Sequence, residues 1–254
     1  MARKGGSKHL KRLPAPGHWP IYRKKFKWVT KPRAGPHSIE KSLPLLLVMR
    51  ELLSLVKNMR EAKMLLSAGQ IKVNGRIIRE YNFPVGIMDL IEIPLINKIF
   101  RVLPSQKGLC LHTVSEDEKD FKLCKIVGKT TVKGGNSQLN LNDGTNILIK
   151  VTDNQSQVDV YKIHDVLKIG VPNHELLAHL KLEDGVLGII DDGKNIGVLA
   201  EITKIGKSGL STASVELRDL KGNHFETIID YVFPVGKGEL WITLPKELTV
   251  NEPN

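Results

Sequence analysis

The stretch 59-MREAKMLLSAGQIKVNGRIIREYNFPVGIMDLIEI-93 decides the fold of this chain. A short basic helix carrying Arg60 and Lys63 is predicted to end at Gly69, because glycine suits the left-handed position after a helix. A strand follows, and Asn74-Gly75 turns the chain into a second strand. Asn-Gly between alternating apolar residues is the strongest short hairpin signal, because both turn residues must accept positive φ. The stretch therefore predicts a helix-plus-hairpin unit whose cations suit a phosphate backbone.

The positive charge of the chain is concentrated before this unit. The 254 residues carry a formal net charge of +11, and residues 1–41 hold twelve Lys and Arg against one acid, Glu40. The remainder is formally neutral. Five prolines and four glycines in residues 1–41 oppose regular structure. We therefore expect an extended basic N-terminal arm that binds a polyanionic partner.

Four aromatic residues, Trp19, Tyr22, Phe26 and Trp28, lie among the cations of this arm. Disordered tails are poor in aromatic residues, so the arm is more than a solvated charge run. Such rings can stack on unpaired bases while lysines contact phosphates. The same rings can also attach the arm to its own protein. The pattern favours nucleic-acid docking, with the aromatic residues divided between the two purposes.

Two helices are predicted between the arm and the hairpin. Ser42 is a plausible N-cap, and Pro44 then falls in the first turn, where proline is tolerated. Apolar residues recur at helical spacing from Leu45 to about Val56. A second helix is predicted over residues 60–68.

The remaining pattern predicts a multi-domain α+β protein made largely of short strands. Turn signals and alternation suggest small β units after the hairpin. The expected parts are an extended arm at 1–41, a helix–hairpin domain at 42–94 whose cations suit a phosphate backbone, a central mostly-β domain at 95–175, a small C-terminal β barrel at 176–245 and a loose tail at 246–254.

Nothing in the sequence indicates a metal centre, a membrane span or a catalytic motif. Cys110 and Cys124 cannot build a four-ligand metal site, and we expect both to be buried in a reducing cytosol. No apolar run approaches the ~18 residues of a membrane span. Gly128-Lys129-Thr130 lacks the upstream glycine of a phosphate-binding loop, and His174 and His179 are five apart, so they cannot share a metal on one helix face. We expect no enzyme, no cofactor, no small-molecule substrate and no membrane contact.

Several motifs, taken in order, resemble one family. KHLKRLPAPGHWPI, GPHSIEKSLPLL, YNFPVGIMD and IDYVFPVG resemble small-subunit ribosomal protein four of the archaeal and eukaryotic type, with a length similar to archaeal members. GVLGIIDDGKNIGVLAEI resembles a KOW motif, which implies that the C-terminal barrel is of KOW type. The resemblance implies a structural constituent of the small (30S) ribosomal subunit in the cytoplasm. Its implied partners are 16S-type ribosomal RNA and neighbouring small-subunit proteins.

The resemblance also implies an RNA-binding face on the arm and on the helix–hairpin domain. The residues expected on the arm are Lys4, Lys8, Lys11, Arg12, Trp19, Arg23, Lys24, Lys25, Lys27 and Arg33. Those expected on the helix and hairpin are Arg60, Lys63, Lys72, Asn74 and Arg76. The KOW loop contains Gly193, Lys194, Asn195 and Gly197, but the preceding Asp191-Asp192 would repel phosphate, which argues against RNA contact there.

Two alternative functions stay open at this point. A KOW-type transcription or elongation regulator would associate with RNA polymerase rather than with 30S particles. An RNA-modifying enzyme could carry the helix–hairpin unit as an accessory, but it would need a catalytic α/β domain or a Gly-rich cofactor loop. Residues 95–250 predict small β units instead.

Overall fold

The structure is a computed structural model that describes residues 7–150, 160–206 and 213–245. Within these ranges the basic arm is folded onto the rest of the protein. Strand β1 (Leu10–Lys11) pairs antiparallel with β2 (Trp28–Val29), which closes the intervening residues into a loop. The expectation of an extended arm is therefore wrong for this part. The reason is that the arm supplies apolar anchors and internal hydrogen bonds of its own.

Short helical elements follow the arm, rather than two regular helices. Strand β3 (Ser42–Pro44) leads into helix α1 (Leu45–Leu47), which continues as a π-helical turn over Val48–Leu52. Helix α2 spans Met59–Ser67. Ser42 is not an N-cap, because it lies in β3 and its hydroxyl donates to the Ser38 carbonyl over 2.6 Å. The first helix stops earlier than predicted, and its apolar residues reflect burial on every side rather than one amphipathic face.

The predicted hairpin forms as expected and continues into a sheet. Strands β4 (Lys72–Val73) and β5 (Arg76–Ile77) flank Asn74 and Gly75, whose φ angles are 50° and 71°. The following strands are β6 (Pro84–Gly86), β7 (Leu90–Ile93), β8 (Lys98–Ser105) and β9 (Gly108–Val114). Strand β6 pairs with β3, while the others form an antiparallel sheet of order β5-β4-β7-β8-β9. Because β7 pairs with β8, this sheet crosses the domain boundary expected after residue 94.

A second five-stranded antiparallel sheet forms the centre of the chain. Its strands are β10 (Phe121–Thr131), β11 (Ser137–Leu141), β12 (Asn146–Ile149), β13 (Val166–Gly170) and β14 (Leu176–Leu180), in the order β12-β11-β10-β13-β14. The predicted strand at 158–161 falls partly outside the described residues, and Tyr161 lies outside any strand. Strand β14 pairs with β13, so the expected boundary at 175 also falls inside a sheet.

The C-terminal sheet has six antiparallel strands. They are β15 (Val186–Ile190), β16 (Leu199–Ile205), β17 (Ser214–Asp219), β18 (His224–Ile228), β19 (Val232–Lys237) and β20 (Glu239–Leu240). Their order is β18-β17-β16-β15-β19-β20. The expected tail at 246–254 lies outside the described residues.

Two large apolar cores join segments that are distant in sequence. One contains Trp19 of the arm, Leu66 of α2 and Val102 of β8. The other packs the C-terminal sheet against Leu103 of β8 and Leu123 of β10. Strand β8 contributes to both cores, so it connects the core that holds the arm to the core of the C-terminal sheet.

Candidate nucleic-acid interface

The exposed surface of the arm consists of aromatic rings and lysines. Tyr22, Phe26 and Trp28 are 75%, 60% and 51% exposed. The Lys25 Nζ lies 5.8 Å from the centre of the Tyr22 ring and 5.7 Å from that of Phe26, and the Lys27 Nζ lies 5.3 Å from that of Trp28. Cations near ring faces keep the rings partly in place without burying them. This arrangement provides stacking surfaces beside positive charge, as single-stranded nucleic acid requires.

Trp19, which we predicted as an RNA contact, is not available to RNA. It is 3% exposed, and its indole Nε1 donates a hydrogen bond of 2.9 Å to the Ser42 carbonyl. A ring packed in the core cannot stack on a base, so the prediction of direct contact is wrong for this residue. Trp19 instead anchors the arm.

Arg12 and Arg23 hold the arm together through backbone carbonyls. The buried Arg12 guanidinium donates from Nη1 to the Tyr22 carbonyl over 2.9 Å and from Nε to that of Trp28 over 3.3 Å. Arg23 donates from Nη1 to the Ala15 carbonyl over 2.8 Å and from Nη2 to that of Pro16 over 2.7 Å. We had assigned both arginines to RNA. Their hydrogen bonds show a structural role, because they close the loop that presents the exposed rings.

The remaining arm residues predicted to bind RNA differ in their exposure and in their protein partners. Lys8, Lys11, Lys24, Lys25 and Lys27 are exposed. Arg33 forms an ion pair with Glu80, so its charge is partly neutralised. Lys4 lies outside the described residues.

Helix α2 presents its cations away from the core. Ala62 and Leu66 are buried, while Arg60 and Lys63 are exposed. The Lys63 Nζ lies 5.0 Å from the centre of the Tyr81 ring. Asn58 has extended backbone at the start of the helix, and the carboxylate of Glu61 accepts the Lys57 amide over 2.7 Å. That hydrogen bond lowers the pKa of Glu61, so the helix begins with a charged carboxylate at its positive end.

The hairpin residues predicted to bind RNA are mostly engaged within the protein. The Asn74 Nδ2 donates to the Asp89 carboxylate over 2.7 Å, and its Oδ1 accepts the Leu90 amide over 2.9 Å. Lys72 lies 3.6 Å from the Glu92 carboxylate. The Arg76 Nη2 lies 2.7 Å from the Nε2 of His174. Asn74 is thus a positioning residue rather than the RNA contact we predicted, because both ends of its amide hold the hairpin against β7.

A groove of about 410 Å³ separates the arm from the helix–hairpin unit. Trp28 and Lys8 line its arm side, and Met59 at the start of α2 and Tyr81 line the opposite side. Lys8 of the arm and Lys63 of α2, whose Nζ lies beside the Tyr81 ring, are therefore on opposite sides of one depression. The sequence singled out the cations on both sides, but nothing in its local pattern indicated that the two sides face each other.

The predicted KOW loop packs against its own chain. A Cβ on Gly197 would lie 2.9 Å from the Cα of Ser105, and a Cβ on Gly193 would lie 3.3 Å from the Tyr231 ring. Asp191 is largely buried, and its carboxylate lies 3.7 Å from the Lys41 Nζ. Burial raises the pKa of Asp191, although Lys41 and Lys125 oppose the rise. Of the loop residues predicted, Lys194 is exposed, and Asn195 is half-buried.

Sequence reasoning missed a buried charged network behind the hairpin. The Asp89 carboxylate, 1% exposed, lies 2.9 Å from the His37 Nε2, accepts the Gly86 amide over 3.0 Å and lies 3.9 Å from the Lys122 Nζ. Lys122 also contacts Asp143. Burial alone would raise the pKa of Asp89, but His37 and Lys122 outweigh it and lower it to about 2. The network joins the arm, the hairpin and the central sheet.

The described ranges contain no cluster of His, Cys, Asp or Glu that could hold a metal ion. None of the helices in the described part of the chain is long and apolar enough to cross a membrane.

The helix–hairpin unit places the chain in the class of proteins that carry an S4 domain. The S4 domain model matches residues 51–91, and the RS4NT domain model matches residues 4–40. The model of the ribosomal family S4e matches residues 96–176.

Curated relatives match nearly the whole chain. Proteins described as small ribosomal subunit protein eS4 from Desulfurococcus amylolyticus, Staphylothermus marinus and Methanothermobacter thermautotrophicus are 45%, 46% and 43% identical to it. The matches cover 96–97% of this chain and 99% of each relative. The crystal structure of the 30S ribosomal protein S4e from Thermoplasma acidophilum matches with a TM-score of 0.65 and 31% identity, covering 78% of this chain and 96% of that one. The chain belongs to the ribosomal protein S4e family, as its motifs predicted.

Proposed function

We propose that this protein is a structural constituent of the small ribosomal subunit, in the cytoplasm, and that it binds 16S-type ribosomal RNA through the arm and helix α2. One observation carries the proposal. Lys8 of the arm lines the groove, and the Lys63 Nζ of α2 lies 5.0 Å from the ring of Tyr81 on the opposite side, so that one continuous RNA segment can contact both. The proposed role is to bind and position RNA rather than to catalyse a reaction. Lysines that contact the phosphates displace counterions from the RNA, and the release of these ions favours binding.

The roles within this surface differ from one residue to another. We assign phosphate contact to the exposed Lys8, Lys11, Lys24, Lys25, Lys27, Arg60 and Lys63. Lys72, Arg76 and Arg33 contribute less, because each has a protein partner that competes with phosphate.

We further propose that the C-terminal sheet is a KOW-type unit that faces protein rather than RNA. Its loop glycines approach Ser105 and Tyr231 of the same chain. The buried Asp191 beside Lys41 leaves little positive charge there for phosphate. Contact with neighbouring small-subunit proteins is therefore the role we assign to its outer face.

The two alternative functions receive no support from the fold. After residue 94, every strand pairing in the described ranges is antiparallel, whereas a catalytic domain of the α/β type needs parallel strands joined by helices. A transcription regulator would not be expected to match small-subunit proteins over 97% of this chain.

The salt dependence of RNA binding tests the proposal. Replacing Lys24, Lys25 and Lys27 together by Gln should reduce the log–log slope of affinity against salt by about 2 to 3, because each phosphate contact contributes about 0.7–0.9. The measurement is a titration of small-subunit ribosomal RNA at several salt concentrations. Charge substitution is preferable to deletion of residues 1–36, since Trp19 and Ala15 belong to the core.

The matched control is a triple Gln variant of Lys98, Lys107 and Lys204, which are exposed but lie outside the arm and the helix–hairpin unit. This variant should leave the slope near that of the wild type. Equal slopes in all three proteins would refute the role of the arm.

A further inference from the structure

The groove between the arm and the helix–hairpin unit has the composition of a base-binding site. Its fourteen lining residues include three aromatic rings, Phe26, Trp28 and Tyr81, and no acidic residue. Its volume of about 410 Å³ falls at the lower end of the range for small-ligand sites. A site of this size suits a single nucleotide better than a duplex, whose base faces are covered by their stacked neighbours.

Trp28 offers a ring surface at the edge of the groove. It is half exposed although it lies in β2, and the His9 ring packs beside it with centroids 5.7 Å apart and planes inclined by 52°. The tilted His9 ring and the Lys27 Nζ, 5.3 Å from the indole centre, border Trp28 without burying it. Tyr81, on the opposite side, is held under the Lys63 ammonium.

Two polar side chains in the groove have unused hydrogen-bonding groups. The Asn82 amide and the Thr30 hydroxyl line it, and neither forms a hydrogen bond within the described ranges. An amide presents both donors and an acceptor, which matches the edge of a nucleobase. Asn82 is half-buried, so its amide is accessible from the groove rather than from every direction.

The cations of the groove divide into structural ones and available ones. Arg12 is bound to backbone carbonyls, and Arg50 lies 2.9 Å from the Glu51 carboxylate. Lys8 is exposed, and within the described ranges Lys31 donates to the Ser7 carbonyl, which leaves further N–H donors on its ammonium. Lys8 and Lys31 can therefore receive the phosphate of a nucleotide whose base lies against Trp28.

We propose that this groove binds one unpaired nucleotide of the RNA, with the base stacked on Trp28 and its edge on Asn82. The inference rests on the proposed RNA-binding function and deepens it. It makes the arm and the S4-type unit two walls of a composite site. Binding in the groove depends on the base of the nucleotide, whereas binding to the surrounding lysines depends on phosphate.

The test compares two short single-stranded RNAs of equal length, one with bases and one with abasic sites in their place. The full chain is titrated with each strand at fixed salt, and labelled RNA is followed by fluorescence anisotropy. Trp28→Ala should weaken binding of the base-containing strand about tenfold, as expected for loss of one stacked base, and leave the abasic strand unchanged. Asn82→Ala should show the same selectivity with a smaller loss.

Leu13→Ala is the matched control, because Leu13 is an exposed apolar residue of the same arm that does not line the groove. It should weaken the base-containing strand much less than Trp28→Ala does. Trp28→Phe should restore most of the affinity, which separates stacking from a folding defect. Equal losses from Leu13→Ala and Trp28→Ala, or equal losses on both strands, would overturn the proposal.

Failure of this inference is distinguishable from failure of the proposed function. If both strands bind with the expected salt slope and Trp28→Ala changes neither, the phosphate surface stands and the base site is refuted. If neither strand binds the wild-type chain, the RNA-binding function is refuted as well.

Discussion

Trp19 and Trp28 lie nine residues apart in the arm and occupy opposite environments. Trp19 is 3% exposed and donates to the Ser42 carbonyl, whereas Trp28 is half exposed and borders the groove. One ring attaches the arm to the core, and the other is presented to solvent by the strand pair β1–β2. Within a single segment, one side chain therefore serves stability, and the other is the ring to which we assign base recognition.

Replacing Trp19 by Phe should lower the free energy of unfolding by about 1–3 kcal/mol, because the Ser42 carbonyl loses its buried donor. Urea denaturation followed by circular dichroism measures this loss. Where the variant remains folded, its affinity for RNA should equal that of the wild type. A large loss of affinity in the folded variant would show that Trp19 acts on RNA after all.

The composition of the arm predicted a basic surface, but it could not distinguish the exposed cations from the buried ones. Arg12 and Lys11 are adjacent and both basic, yet Arg12 is buried on carbonyls contributed by Tyr22 and Trp28. Those partners are ten and sixteen residues away. The burial of a side chain in an irregular segment depends on such distant contacts, which a local pattern does not contain.

At the scale of elements, the hairpin β4–β5 was predictable because its signal is local. Asn74 and Gly75 both adopt positive φ, as an Asn-Gly turn requires. Gly69, with φ of 72°, likewise ends α2 as predicted. The segment after Pro44 was not predictable in the same way. Its apolar residues are buried all round, so helical spacing could not reveal a short helix with a π-helical turn.

Replacing Asn74 by Ala should lower the free energy of unfolding by about 2–4 kcal/mol. The variant loses the hydrogen bonds to Asp89 and Leu90, and it places a Cβ-bearing residue without a compensating side chain at positive φ. Asn74→Gly keeps the turn and loses only the hydrogen bonds, so it should be about 1 kcal/mol less destabilised than Asn74→Ala. Chemical denaturation of the three proteins compares them, and a neutral Ala variant would contradict this account.

At the scale of the whole molecule, the network around Asp89 links stability to pH. Burial lowers the pKa of His37, but the neighbouring Asp89 reverses this effect and leaves it above the usual 6.5. A raised pKa favours the folded state below 6.5, and the contribution is lost as the pH rises through the folded-state value. The lowered pKa of Asp89 acts in the opposite direction, because its contribution is present above 3.8 and is lost as the pH falls toward about 2.

Replacing His37 by Gln should therefore destabilise the protein more at about pH 6 than at about pH 9. Each unit by which the pKa of His37 is raised corresponds to about 1.4 kcal/mol. Thermal denaturation of wild type and variant across this range gives the difference, in which contributions of the other histidines cancel. A difference independent of pH would show that His37 is not charged in the folded protein.

From the sequence we predicted domain boundaries after residues 94 and 175. In the structure, hydrogen-bonded strand pairs span both positions. Strand-forming residues on each side were recognised correctly, but which strands pair is a long-range property. The same limit concealed Lys122, whose contact with Asp89 depends on the central sheet lying against the hairpin, and Asp143, which pairs with Lys122.

The Asp89 network also has a consequence for the order in which a nascent chain can fold. His37 is synthesised early, but its carboxylate partner emerges with the hairpin, and the network is complete only when Lys122 and Asp143 have followed. Domains generally fold as they emerge from the N-terminus. Here the basic arm cannot reach its final anchorage until more than half of the chain has left the exit tunnel. A segment carrying the whole excess charge therefore remains open to polyanions during translation.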